Sequence, residues 1–484
     1  MDKSENWKNQ CLQINAGLPA SGLYSSQQKH IHSESNAPWR ISPTPFFISA
    51  DDYAWLNGLG THLLKFYKAC NLLYSQSVRG IQPDWVAEYL DRGKPASVVE
   101  YGRMRRFKSF VPSVIRPDIL PTENGMVISE LDSVPGGIGF TGSLASQYTS
   151  QDIDVIGGGN GMVLGFAEMI RTVSGNQDPT LAIVVSDESD SYRQEMVWLA
   201  NQLRESGFAA YVIHPKEIIF QESNDDQTGL FLANESNNAE KDRIQIDVIY
   251  RFFELFDLKN IPKSELMLYS AKKRQVSMTP PLKAYLEEKL TFALFHHPSL
   301  KHFWKKELGQ ESIKLLENTI PETWVIDNRP LPPHATIPNL SMQNQPITDF
   351  KQLNSISQKQ RQLVIKPSGF SDQAWGARGV SIGHDMPTED WKEAIERALN
   401  SFEKSPHVLQ KFHKAKQVRM PYYDFDKKEI IMMRGRPLLR PYYFVTQNDE
   451  VCLSGIQAVV CPEDKKILHG MVDAIIAPAA IWQG

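Results

Sequence analysis

The stretch from Leu181 to Ile213 constrains the fold more than any other. Leu181-Ala-Ile-Val-Val185 is a short apolar run suited to a buried strand. Met196, Leu199, Ala200 and Leu203 then recur on one side of a helix, Gly207 stops it, and Ala210-Tyr-Val-Ile213 resumes as a strand. Strand, helix and strand in that order form a βαβ unit, which implies a parallel sheet. Ile246-Asp-Val-Ile-Tyr250 is expected to add another strand to it. The class is therefore α/β.

The remaining chain is ample for more than this unit. It has 484 residues, 41% hydrophobic and 22% charged, enough for two or three domains. Four segments are expected: a mobile or irregular N-terminal arm over 1–38, a part carrying an acidic hairpin over 39–150, the parallel-sheet region over 151–270, and a last lobe over 271–484. A helix is expected to begin at Ser49, with Leu56, Leu59, Leu63, Leu64, Tyr67 and Leu72 at near-helical spacing. Residues 222–241 are polar and acidic and are read as a surface insertion, and 327–361 as a connection. Residues 389–403 are read as an amphipathic helix.

The net charge of −4 supplies no basic field for nucleic acid, and Arg103-Met-Arg-Arg106 is read as a solvated face. Cys11, Cys70, Cys452 and Cys461 form no CxxC pair, which disfavours a disulfide framework or a zinc site and favours a reducing compartment. Met1–Gln10 lacks the apolar core of a signal peptide, and no stretch approaches the ~20 apolar residues of a membrane span. A cytoplasmic protein without nucleic-acid or membrane partners is expected.

Val114-Ile-Arg-Pro-Asp-Ile-Leu-Pro-Thr-Glu-Asn-Gly-Met-Val-Ile-Ser-Glu-Leu-Asp132 reads as a β-hairpin. Alternation puts Arg116 and Asp118 on one face of the first arm, and Glu130 and Asp132 on one face of the second. A two-residue Asn124-Gly125 turn would pair Asp118 with Leu131 and point the acids apart. A three-residue Glu123-Asn124-Gly125 loop pairs Asp118 with Glu130 and Arg116 with Asp132, and this arrangement is favoured. Three carboxylates on one face repel each other unless cations neutralise them, and oxygen donors at that density suit Mg²⁺. Arg116 could neutralise a transferring phosphoryl group. The plainer alternative is a surface hairpin with cross-strand ion pairs.

Leu363-Val-Ile365 delivers Lys366 into a small-residue loop with Gly369, Gly376 and Gly379, and an apolar strand returns at Val380. Glycines let backbone N–H groups approach phosphate oxygens. No GK[ST] follows, so this is not a Walker A loop; the bland alternative is a hairpin with a flexible tip. Val408-Leu-Gln-Lys-Phe412 has the form of a strand and hinge that could meet an adenine edge, with Gln410 as the contact. Gly157-Gly-Gly-Asn-Gly161 does not fit GxGxxG and is read as a helix start.

Together these segments resemble the circularly permuted ATP-grasp superfamily, and most nearly the synthetase domain of the glutathionylspermidine synthase-like group. The R-x-D and E-x-D pair precedes the lysine strand by more than 200 residues, the reverse of the usual order. Pro38-Trp-Arg-Ile-Ser-Pro43, Pro281-Leu-Lys-Ala-Tyr-Leu-Glu-Glu-Lys289 and Leu439-Arg-Pro-Tyr-Tyr443 add weaker matches, and the likeness runs from about residue 38 onward. The resemblance implies a circularly permuted ATP-grasp core with a parallel-sheet substrate domain. It implies a carboxylate–amine ligase using ATP and Mg²⁺ on small-molecule acid and amine substrates. Asp118, Glu130 and Asp132 would hold Mg²⁺, and Arg116 would stabilise the acyl phosphate. Lys289 and Lys366 would bind phosphates, Gly376 and Gly379 would belong to a closing loop, and Gln410 to the adenine pocket. Ser133-Val-Pro-Gly-Gly137 would line the acceptor site. Asp132 replaces the Asn of the nearest relatives, the glycine loop is longer and carries Trp375, and no amidase domain is present. A non-catalytic nucleotide-binding protein and a phosphotransferase of the same fold are the alternatives.

Overall fold

The computed structural model describes residues 3–19, 23–24, 35–132, 134–222, 228–233, 243–342, 344–465, 468 and 473–483. Among them the largest sheet has seven strands. Its order is Phe46–Ile48, Ile475–Ile481, Val451–Pro462, Glu429–Val445, Val114–Thr122 and Gly125–Asp132, with Val418–Asp424 pairing alongside Glu429–Val445. All its pairings are antiparallel except Phe46–Ile48 on Ile475–Ile481. The early hairpin is thus zipped onto strands from the far end of the chain, with Ile119 opposite Leu439 and Ile115 opposite Tyr443.

The βαβ reading holds. Ser277–Thr279, Val248–Phe252, Leu181–Val185 and Ala210–Ile213 lie side by side in that order, all parallel. Both faces are covered, which is why Leu181–Val185 shows no polar alternation. Ile183 and Val185 pack with Met196 and Leu199 on one side, and Ala182 and Val184 with Met267 and Leu268 on the other. A smaller antiparallel sheet runs Thr323–Ile326, His407–Lys411, Leu363–Pro367 and Ser381–Ile382. Helix Thr388–Asn400 covers it through Trp391, Ile395 and Leu399.

Helix Ala50–Ser77 starts where expected, with Ser49 Oγ accepting from the Asp52 N–H at 3.0 Å. Leu56, Leu59, Leu63, Leu64 and Tyr67 are buried as read, and near its end Leu73 rather than Leu72 takes the fully buried place. Helix Gly161–Ser174 begins at the glycine-rich turn, as read. The expected surface insertion is corrected over Gly229–Ala233, an apolar run that forms a strand with Leu230 and Leu232 buried. No helix among the described residues is long and apolar enough to cross a membrane.

The N-terminus departs from expectation. Lys3–Gly17 is a helix, not an irregular arm. Its surface is polar almost all round, which hid the stripe made by Cys11, Ile14 and, beyond its end, Leu18; all three enter the main core. Asn15 Oδ1 accepts from the Asn36 N–H at 2.8 Å, tying the helix to the chain that follows. Ile14→Ala should therefore destabilise the protein by about 2–5 kcal/mol, the usual cost of emptying a core site. Urea unfolding measures this, and a loss below about 0.5 kcal/mol, typical of a surface site, would mean that the helix does not share the core.

Candidate functional site

The hairpin registers Arg116 with Asp132 and Asp118 with Glu130, the favoured pairing, but by a different device. The turn has two residues, Glu123 and Asn124, with Thr122 opposite Gly125. On that register alone Glu130 would share the face of Ile128, which is fully buried in the core. The register shifts by one at Ser129, between the Ile119–Ile128 and Asp118–Glu130 pairs. This bulge reverses the alternation. Leu120 and Val127 then face a cavity together with Asp118, Glu130, Arg116 and Asp132, while Ile119 and Ile128 stay in the core. Ser129 Oγ donates to the Asp118 carbonyl at 3.1 Å and closes the bulge.

The cavity measures about 720 Å³ and lies between the seven-stranded sheet and the small antiparallel sheet. Its charged groups interlock. Arg116 Nη2 stands 3.1 Å from Asp118 Oδ1 and 2.8 Å from Asp132 Oδ2. Arg440 Nε reaches Asp118 Oδ1 at 3.3 Å, and Lys289 Nζ reaches Glu130 Oε1 at 2.7 Å. Burial opposes the charge on Arg116, but Asp118 and Asp132 outweigh it and raise its pKa. Burial likewise works against ionised Glu130, yet Lys289 and Lys366 hold its carboxyl below the usual range. Asp132 moves the other way: burial raises it beyond what Arg116 recovers.

Cations of the protein occupy the three expected metal ligands in this structure. Asp118, Glu130 and Asp132 share a face, but each is neutralised by an arginine or lysine of the protein. Among the described residues no three His, Cys, Asp or Glu side chains are grouped to hold a metal ion. The donor set remains hard oxygen, which suits Mg²⁺ completed by phosphate oxygens and water rather than by an all-protein cage. Asp118, Glu130 and Asp132 fit that role if Arg116 and Lys289 give up part of their contacts to a ligand.

Lys366 extends from the Leu363–Pro367 strand and donates to the Ser129 carbonyl at 3.0 Å and to Gln410 Oε1 at 2.9 Å. Gln410 Nε2 in turn donates to Thr323 Oγ1 at 3.3 Å, so its side chain steadies Lys366 instead of facing a base edge. Lys411, Phe412, His413, Lys414 and Ala415 after Gln410 line the cavity, and the Lys416 N–H donates to the Pro121 carbonyl at 2.7 Å beside the hairpin turn. Gly376 lies in the short Asp372–Ala377 turn, and Gly379 packs beside Pro367 and is not among the described residues that line the cavity. Ser133 and the side chains of 375–377, Trp375 included, lie outside the described residues. The loop root is docked: the Gly369 N–H donates to Glu288 Oε2 at 3.2 Å, and a Cβ there would sit 1.6 Å from the Glu287 carbonyl oxygen.

The sequence reading missed Arg440, Gln457, Glu195 and Tyr192. Arg440 had a signal, a lone cation inside the apolar run Leu438–Val445. Glu195 had none: it is 1% exposed and accepts from the N–H groups of Gly137 and Phe140 at 2.7 and 2.9 Å, which holds the start of helix Ile138–Thr149. Burial pushes its carboxyl up to about 7. Tyr442 Oη donates to the Gly136 carbonyl at 2.8 Å from the opposite side.

No protein-family model matches the chain, and no curated protein matches it in sequence. Among solved structures, the chain shares its fold with a glutathione synthetase-like effector from Globodera pallida in its apo form. The two agree with a TM-score of 0.56 over 98% of this chain and 96% of that one, at 11% identity. A Methylobacillus flagellatus KT protein assigned as a gamma-glutamylcysteine synthetase covers 89% of each chain at 11% identity, but its TM-score of 0.38 carries no argument. The shared fold is a mixed α/β architecture with parallel and antiparallel sheets.

Burial, with Lys289 nearby, lowers the Lys366 pKa to about 8, against the pull of Glu130 and Asp118. A polyphosphate needs the charged ammonium, so binding must restore a proton that the free protein loses as pH rises through about 8. ATP affinity should fall above that pH, by at most about tenfold per unit, with net proton uptake on binding. Calorimetry in buffers of different ionisation enthalpy measures both. Lys366→Ala should bind more weakly and lose this alkaline limb; an unchanged limb would place the titrating group elsewhere.

Proposed function

We propose that this chain is an ATP- and Mg²⁺-dependent carboxylate–amine ligase acting on small-molecule substrates through an acyl phosphate. The observation that carries this reading is the polarity of the cavity along the hairpin. Toward the turn end its lining carries an apolar patch of Leu120, Val127, Val364, Ile382 and Leu438, with Lys411, Phe412 and Lys414 of the hinge and the polar Arg436 and Lys465 around it. That is a slot for a flat base. Two residue pairs further along the hairpin stand Asp118 and Glu130 with Lys289 and Lys366, a place for phosphates. Beyond them come Arg116 and Asp132, with Arg440 reaching in from the strand opposite Asp118, a place for an acid substrate. The strand rise of about 3.3 Å per residue makes Leu120 to Arg116 span roughly 13 Å, the scale of a nucleotide from base to terminal phosphate. The fold shared with a glutathione synthetase-like protein supports the same reading.

The chemistry follows from these positions. A substrate carboxylate oxygen attacks the terminal phosphorus, and the bond from that phosphorus to ADP breaks. The amine nitrogen then attacks the acyl carbon, phosphate leaves, and the nitrogen sheds a proton. Arg116 sits where charge develops on the transferring phosphoryl group and on the acyl oxygen, with five fixed donors and no deprotonated state. Lys289 and Lys366 hold the phosphates in line. Mg²⁺ held by Asp118, Glu130 and Asp132 would neutralise phosphate charge and orient the terminal group. A cytoplasmic setting, where ATP is available, belongs to the same proposal.

ADP and phosphate release on a panel of amino acids, other carboxylates and amines tests the reaction. Both products should appear only when an acid and an amine are present together. ATP binding without release under every pair would sink the ligase reading, and ADP with a stable phosphorylated product would mean a phosphotransferase. Arg116→Lys keeps the charge but loses the fork, and should lower turnover by about 10²–10³ with little change in ATP affinity.

The loop 368–378 should close over the bound nucleotide. Its root is docked through Gly369, and its far end carries an exposed contact of 3.4 Å between Arg378 Nη1 and Glu188 Oε1. Exclusion of water protects an acyl phosphate from hydrolysis. Hydrogen exchange across 368–378 should slow when Mg-ATP binds, and equal exchange with nucleotide demonstrably bound would rule out closure.

A further inference from the structure

The cavity has a fourth zone that the nucleotide and phosphates leave unused. Tyr192 and Phe252 line it past Arg116 and Arg440, with ring centroids 5.7 Å apart. Phe252 ends a strand of the parallel sheet, and Tyr192 lies in the turn before helix Arg193–Glu205. The third member comes from the N-terminal segment. Tyr24 stands edge-on to Tyr192, with centroids 5.0 Å apart and planes at 71°, and lines the same cavity. It is placed by its neighbour Leu23, which is 1% exposed and belongs to the main core. Tyr192 is held in turn by Gly136, where a Cβ would come within 2.4 Å of its ring.

An aromatic wall beside two buried arginines matches a particular ligand shape. A carboxylate is held by the guanidinium groups, and a planar apolar group packs against the rings. Aromatic pairs in edge-to-face geometry add attraction beyond the area they bury. Three rings at this point offer apolar contact area that a small acid would leave unused.

We propose that Tyr24, Tyr192 and Phe252 form a side-chain subsite that selects an acid substrate carrying an aromatic or comparably bulky apolar group. Tyr24 is the specificity-determining residue that the N-terminal segment contributes. This deepens the ligase reading and rests on its placement of the acid beside Arg116 and Arg440.

Calorimetric titration of the full-length protein with 3-phenylpropionate and with propionate, in Mg²⁺ and a non-hydrolysable ATP analogue, tests it. The wild type should bind 3-phenylpropionate about tenfold or more tighter than propionate. Tyr24→Ala should shrink the difference to within about threefold by weakening 3-phenylpropionate more than propionate, and Tyr24→Phe, which keeps the ring, should retain it. Equal affinities in the wild type, no binding of either acid, a preference that survives Tyr24→Ala, or its loss in Tyr24→Phe would each overturn the subsite. A ring preference in binding without acid-dependent ADP release overturns the ligase reading and leaves the subsite standing. Acid-dependent release that is blind to the ring does the opposite.

Discussion

One extra residue at Ser129 decides what the hairpin can do. Strand side chains alternate with a period of two, so a slip of one residue exchanges the two faces of everything beyond it. Without the bulge, the two-residue turn would carry Glu130 onto the core face of Ile128, among Ile119 and Ile115. An ionised carboxylate there would cost several kcal/mol of desolvation with no cation to offset it. With the bulge, Val127 and Glu130 both reach the cavity, and the Ser129 carbonyl is released to accept from Lys366. The same residue therefore sets the acid cluster on one lobe and receives the lysine of the other.

Charge neutralisation is the second constraint, and it follows from the first. Three acids on one buried face demand cations, and Arg116, Arg440, Lys289 and Lys366 supply them from four separate parts of the chain. Buried pairs of this kind contribute little to net stability, because the attraction mainly returns what desolvation costs. They keep the groups ionised and oriented instead. An incoming polyphosphate with a divalent ion offers the same balance, with phosphates meeting the lysines and the ion meeting the acids.

Glu287, Glu288 and Lys289 show how the lobes are joined. Glu287 pairs with Arg251 of the parallel sheet, Glu288 with Lys94 near the N-terminal helices, and Lys289 with Glu130 of the hairpin. Glu288 also accepts from Gly369 at the root of the glycine loop. Three consecutive side chains thus reach four elements.

The sequence alone settled what depends on local spacing. Continuous apolar residues at 181–185 meant a strand covered on both faces, helical periodicity marked Ala50–Ser77 and Thr388–Asn400, and alternation put Arg116 with Asp118 and Glu130 with Asp132. Those patterns are visible because the residues involved are neighbours within a turn or two. The bulge was not visible, since nothing in the composition of Met126–Leu131 distinguishes an extra residue in the turn from one in the strand. The partners of Gln410, the burial of Glu195 and the reach of Tyr24 were equally hidden, and so was the order inside a polar N-terminal helix that needs only one apolar residue per turn to be anchored. Arg440 lies more than 300 residues from Asp118 along the chain and within 3.3 Å of it in space. Only the pairing of the Val114–Thr122 strand with Glu429–Val445 brings them together, because charge and burial act over a few ångströms of space, whatever the separation in sequence.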